Sequence, residues 1–174
     1  GVGASVVNAL SKHLKVNVYQ DGKIYQQEYE RGQILYDLKV IGETERTGTT
    51  VTFLPDVISD ENPDGIFERG VTFDYGVLKT RLREMAYLHK GIRIVYTDER
   101  GEDVVCEEFY FEGGLREFVK HLNRNKEVLF AEPIYAEGIR DNVLVEVAMQ
   151  YNDSYSENVY TFVNNIATPD GGTH

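Results

Sequence analysis

With 174 residues, 41% of them hydrophobic and 27% charged, the chain is long enough for one domain, or two small ones, with a real core. Its formal net charge of −11 argues against gripping a phosphate backbone by charge alone, because that affinity comes from Lys and Arg. A single cysteine, Cys106, excludes a disulfide framework and a thiolate zinc site, and no run approaches the ~18 apolar residues of a membrane helix; a cytoplasmic setting with no membrane partner is expected.

The chain opens on GVGASVVNALSKH. Val6, Val7, Leu10 and Leu14 recur at helical spacing after Gly3, so a helix is expected over 3–13 with the glycine turn at its start. Leu14, Val16 and Val18 then alternate as a strand, Asp21-Gly22 signals a tight hairpin, and Lys23 to Glu30 is the returning strand. Tyr36 to Ile41 reads as a further short strand, and Thr49 to Leu54 as another, ended by Pro55. Residues 56–72 (DVISDENPDGIFERGVT) lack periodicity and hold a Pro-Asp-Gly turn, the mark of a surface loop. Asp74 caps an expected helix whose face carries Leu78, Leu82, Met85 and His89, and Gly91 ends it. Ile92, Ile94 and Tyr96 lead into a hairpin through Glu99-Arg100-Gly101, with Val104 to Phe111 returning. A short helix follows over Leu115 to Asn123, its buried stripe being Leu115, Phe118, Val119 and Leu122. The character changes near Lys126. From there only strands are expected, over Ile134 to Glu137, Val143 to Tyr151 and Asn158 to Ile166, so a domain boundary is placed at about 126–129.

Two stretches carry candidate chemistry. Glycines at Gly1 and Gly3 allow close backbone approach, and the first amides of a helix lack internal partners, so GVG is a candidate anion turn, although glycine before a helix is also common. In Arg46-Thr47-Gly48-Thr49-Thr50-Val51, a threonine hydroxyl can meet a polar ligand edge while Val51, two residues on, supplies an apolar wall on the same strand face. The plainer reading is that threonines simply suit a strand. His13, His89, His121 and His174 show no ligand spacing, and His89 on an apolar helix face reads as a core or boundary residue. The carboxylates Asp98, Glu99, Glu102, Asp103, Glu107 and Glu108 read as a solvated hairpin face, and Lys120, Arg124 and Lys126 as a solvated helix end. No Ser-His-Asp pattern, P-loop or dinucleotide fingerprint is present. On its residues alone the chain is an α+β domain with a candidate anion turn, followed by a β-rich second domain.

Taken in order, GVGASVVNALS, QDGKIYQQEYERG, TGTTVTFLPD, FEGG, LNRNKEV, VEVAMQYNDSYSENVYTFVNNI and DGGTH resemble the B-subunit family of bacterial DNA gyrase, over essentially all 174 residues. GVG is shared with a wider ATPase superfamily, whereas the final stretch is typical of type IIA topoisomerases. The resemblance implies a partial GHKL-type ATPase α/β sandwich over 1–126, followed by the first strands of a ribosomal-protein-S5-like transducer over 127–174. It implies an ATP-hydrolysing DNA topoisomerase that introduces negative supercoils. Gly1, Val2, Gly3 and Ala4 would hold nucleotide phosphates. Gly48, Thr49 and Val51 would lie at the adenine, Thr49 on its polar edge and Val51 lining its pocket. Gln20 stands where the family usually has an arginine at the pocket mouth, and the loop at 57–72 looks longer than the family's usual form. No catalytic residue is expected within the chain, because the family's general-base glutamate, magnesium-binding asparagine and adenine-recognising aspartate match positions before Gly1, and its transducer lysine one after His174. The implied cofactors are ATP and Mg2+. The implied partners are the DNA gyrase A subunit in an A2B2 assembly, a second B subunit on ATP binding, and duplex DNA. Two other readings stand beside this one: the B subunit of topoisomerase IV, a decatenase, and, for the chain by itself, a non-catalytic protein-interaction segment.

Overall fold

A computed structural model describes residues 2–169; Gly1 and the DGGTH stretch, with His174, lie outside the described residues. The chain forms two compact units, residues 1–72 and 73–174. The change of character near Lys126 lies inside the second.

The first unit begins with helix α1 (Gly3–Ala9) and strand β1 (Ser11–Gln20). The helix is shorter than its apolar spacing predicts. Ser11 donates its hydroxyl back to the Val7 carbonyl at 2.6 Å, and from Ser11 onward the chain is strand, so Leu14 belongs to a period of two rather than of 3.6. The Asp21-Gly22 turn joins β1 to β2 (Lys23–Glu30), with φ of 52° and 76° at its two residues, the left-handed pair that a two-residue hairpin requires. Strands β3 (Gln33–Ile34), β4 (Lys39–Glu43) and β5 (Gly48–Pro55) complete an antiparallel sheet. Its order is β3-β2-β1-β5, with β4 also paired to β2. β4 lies later than the expected strand at Tyr36 to Ile41. Leu14 is the buried hydrophobic residue of this unit among those described. Residues 56–72 hold no regular strand or helix, but the loop is not all surface: Asp56 and Asn62 are buried in it.

In the second unit, Asp74 caps α2 (Tyr75–Leu88) by accepting from the Val77 amide at 2.8 Å. The buried residues of α2 are Ala86 and Tyr87; Met85 and His89, expected on the covered face, are exposed. β6 (Arg93–Asp98) and β7 (Val105–Tyr110) form a hairpin, and α3 (Leu115–Leu122) follows with Phe118 buried. Tyr87 stacks on Phe111 at 3.7 Å and on Phe118 at 5.1 Å between ring centroids, which makes an aromatic core between the two helices. β8 (Ile134–Arg140) and β9 (Val143–Met149) pair as a second hairpin. The single strand expected over Asn158 to Ile166 is instead a tiny hairpin, β10 (Phe162–Val163) and β11 (Ile166–Ala167). Asn164 and Asn165, at φ 48° and 67°, turn the chain there, and asparagine tolerates that region.

Candidate functional site

β5 pairs with β1 so that Val18 faces Thr49, Val16 faces Val51 and Leu14 faces Phe53. Directly opposed residues of an antiparallel pair share a face, so these six side chains form one surface. On β2, Tyr25, Gln27 and Tyr29 continue it. The surface is apolar but open: Val51 is 54% and Phe53 42% exposed, while Leu14 beneath is buried. Gly48 opens β5 at φ 136°, a backbone conformation that a side chain disfavours, and thereby sets where Thr49 enters the sheet. Gln20, at the end of β1, falls on this same face by alternation.

The opposite face is polar. His13 contacts Glu28 at 3.1 Å, and Gln26 donates to Asn17 at 3.0 Å. The Arg46 guanidinium lies 3.9 Å over the Tyr19 ring. Thr50 and Arg46 together hold the Tyr19 phenol below its ordinary pKa.

At the other candidate stretch, Val2 is the N-cap of α1 and makes no side-chain cap; Val6 N donates to Val2 O at 3.0 Å. The first amides of the helix are therefore left to solvent or a ligand. A Cβ on Gly3 would meet nothing within 4 Å, so packing does not demand glycine there, and the space beside it is open. Val2, Gly3 and Ala4 are exposed, and Gly1 lies outside the described residues. α1 packs on β1 and β2. Among the described residues no hydrogen bond joins 2–4 to 48–51. None of these residues carries a carboxylate, so the set does not fit a hard cation such as Mg2+. Among the described residues no group of three or more His, Cys, Asp or Glu is placed to hold a metal ion.

Two polar clusters escaped the sequence reading. One joins Arg31, Asp56 and Asn62. The other is a chain of amides: Asn152 Nδ2 donates to Asn123 Oδ1 at 2.8 Å, Asn123 Nδ2 to Gln150 Oε1 at 2.9 Å, and Gln150 Nε2 to the Phe130 carbonyl at 2.8 Å. It ties the end of α3 to the strands beyond it. His121 on α3 is held below its ordinary pKa by burial, with Arg124 and Arg83 adding to the effect. The signal for both clusters was only isolated Asn, Gln, Asp and Arg residues, whose key partners, Arg31 with Asp56 and Asn123 with Gln150 and Asn152, stand 25 to 29 positions apart.

The carboxylates around β6 and β7 are more engaged than a solvated face implies. Glu107 accepts from Tyr75 Oη at 3.0 Å and Lys79 Nζ at 2.5 Å, and Glu108 pairs with Arg93. Lys120 reaches Glu132 at 2.8 Å, and Arg124 donates to the His121 carbonyl at 2.8 Å.

The DNA gyrase B family model matches residues 114–174. The DNA gyrase B subunit of Enterococcus faecalis is 51% identical across all 174 residues, which make up 26% of that protein. The chain belongs to the DNA gyrase B family. The gyrase B subunit of Bacillus mycoides is 48% identical, again over the whole chain, which there makes up 41%. The chain thus spans well under half the length of these curated relatives. The 43K ATPase domain of Thermus thermophilus gyrase B, solved in complex with an aminocoumarin, superposes with a TM-score of 0.80 at 36% identity, covering 98% of this chain and 44% of that one. Among the described residues no helix is long and apolar enough to cross a membrane.

Proposed function

We propose that the chain is the ATP-binding segment of the B protein of a type IIA topoisomerase, which couples ATP hydrolysis to negative supercoiling. The observation that carries this reading is the 51% identity, along the entire chain, to a gyrase B protein. The open apolar face around Val51 supports it, since an adenine ring needs a wall of that kind. In this reading Gly1, Val2, Gly3 and Ala4 present amides to the nucleotide phosphates, and Gly48 and Thr49 meet the polar edge of the base. Residues 1–126 are the later part of the ATPase domain and 127–174 the start of the transducer. The chemistry is attack of water on the terminal phosphate, which needs positioning and electrostatic stabilisation more than covalent participation. This chain's share is binding and orientation. No step is assigned to the metal. The proposed partners are the gyrase A protein, duplex DNA and a second copy of the B protein, in the cytoplasm.

The test uses the chain extended to the length of its relatives. Gly3 is the first helical residue, a position where proline is tolerated while removing one N–H. Gly3→Pro, which removes that N–H and also presses Val2 out of its αR conformation, should weaken ATP binding about tenfold or more, ~1.4 kcal/mol per tenfold. Thr49→Ala, which removes one hydroxyl from an exposed strand position, should weaken it by a similar factor. Equilibrium dialysis with labelled ATP measures both. Undiminished affinity in the two variants would remove these residues from the site.

A further inference from the structure

The most deeply buried polar residues of the first unit lie behind the candidate site, not in it. Asp56 is 0%, Ser11 1% and Asn62 7% exposed. Asp56 directly follows Pro55, the last residue of β5. Its carboxylate accepts from Arg31 Nε at 2.8 Å, from Arg31 Nη2 at 3.2 Å and from Asn62 Nδ2 at 2.8 Å. Asn62 closes the ring by accepting from Arg31 Nη2 at 2.9 Å, and it donates to the Val57 carbonyl at 2.9 Å. The joint also holds the far end of α1. Asp56 N donates to Leu10 O at 3.1 Å, and Leu10 is the C-cap of that helix. Arg31 N donates to Ser11 O at 3.0 Å, and Ser11 Oγ to Val7 O inside the helix. The loop is locked in turn, because Ile66 N and Phe67 N both donate to Asp56 O, at 2.7 and 2.9 Å.

Only the Asp56 end of this ion pair is buried, the Arg31 side chain being 39% exposed, and such a pair adds little net stability. What it supplies is direction, since each bond fixes a distance and an angle. Here the bonds run between the end of β5, which carries Thr49 and Val51, and the end of α1, which begins at Gly3. We propose that the Arg31–Asp56–Asn62 joint sets the spacing and tilt of α1 against β5, so that one ligand can engage the glycine turn and the Thr49–Val51 face together. The loop at 56–67 is then a positioning element rather than a passive insertion. This rests on the nucleotide-binding reading above.

A ligand spanning both elements depends on their relative placement, and one touching β5 alone does not. The two are separated by titrating the extended chain with ADP and with adenosine in a calorimeter. Asn62→Ala removes the ring's third member and leaves Arg31 paired with Asp56. It should weaken ADP about tenfold while adenosine stays within about twofold of the parent. Tyr36→Phe, which drops a hydrogen bond to Gln26 on the polar side of the same unit, should change neither. If Asn62→Ala does not fold, Arg31→Lys, which keeps the charge and loses the fork, is read in the same way. Equal losses for ADP and adenosine, or no loss for either, overturn the positioning role. A parent chain that binds neither ligand overturns the nucleotide reading, and this inference with it.

Discussion

At the residue scale, charges matter where a partner fixes them. Asp98, at the end of β6, accepts from Arg100 Nε at 2.8 Å, Nη2 at 2.6 Å and the Arg100 amide at 3.1 Å. Arg100 is anchored in turn by donating to the Phe73 carbonyl. These bonds hold the Asp98 carboxyl down from 3.8 to about 2. Because the folded value is the lower one, the stabilisation is complete above the unfolded pKa and is lost as pH falls from about 4 through about 2. A carbon-detected NMR titration should therefore place the Asp98 midpoint near 2. Asp98→Asn should remove this acid-dependent loss from the β6–β7 hairpin. A midpoint near the unshifted 3.8 would mean that Arg100 does not hold the carboxylate in solution.

At the element scale, the sequence was legible at the Asp-Gly turn and not at Asn164-Asn165, where one strand was expected and a small hairpin forms. Asp21-Gly22 located the β1–β2 hairpin to the residue, because a two-residue turn admits few sequences. The end of α1 was not legible, because Leu10 and Leu14 keep helical spacing although the chain turns to strand at Ser11. The two-residue β3 has too little chain for any period to show. The open face behind Thr49 and Val51 was legible from alternation, whereas the Arg31–Asp56–Asn62 joint was not, since its members are brought together only by the fold. The β8–β9 hairpin holds a tension of its own. Glu137 and Glu146 are directly opposed, and Tyr135 Oη lies 2.7 Å from one and 2.6 Å from the other. A phenol has one proton to donate, so it serves one carboxylate at a time. Glu146 first and Glu137 second push the phenol pKa well up. Like charges directly opposed destabilise a hairpin, so Glu146→Gln should strengthen this one by about 0.5 kcal/mol. The gain should shrink as salt is added. Slower amide exchange along β9 at low salt would register it, and unchanged exchange would show that the repulsion is already relieved.

At the scale of the whole molecule, the chain exposes more surface than its mass accounts for. Its accessible surface is 13202 Å² for 19.8 kDa. A folded monomer of this size exposes ~8,600 Å², and two separate small domains of these lengths ~10,000 Å². Large hydrophobic side chains contribute to the excess. Val51, Phe53 and Leu54 lie open on β5, and Val143, Val145, Val147 and Met149 on β9 are 45–60% exposed. These four residues alternate along one face of β9, and among the described residues that face is left about half exposed. Patches of this kind mark surfaces that other protein covers. The relatives supply a candidate cover, since this chain is 26% of one and 41% of another. Taken alone, the 174 residues should therefore bind a hydrophobic dye strongly, elute from a sizing column as oligomers and melt without a sharp transition. The chain extended to its relatives' length should lose the dye signal and unfold cooperatively. A sharp, reversible melt of the isolated chain with little dye bound would show that the open faces of β5 and β9 are stable in water and need no further polypeptide against them.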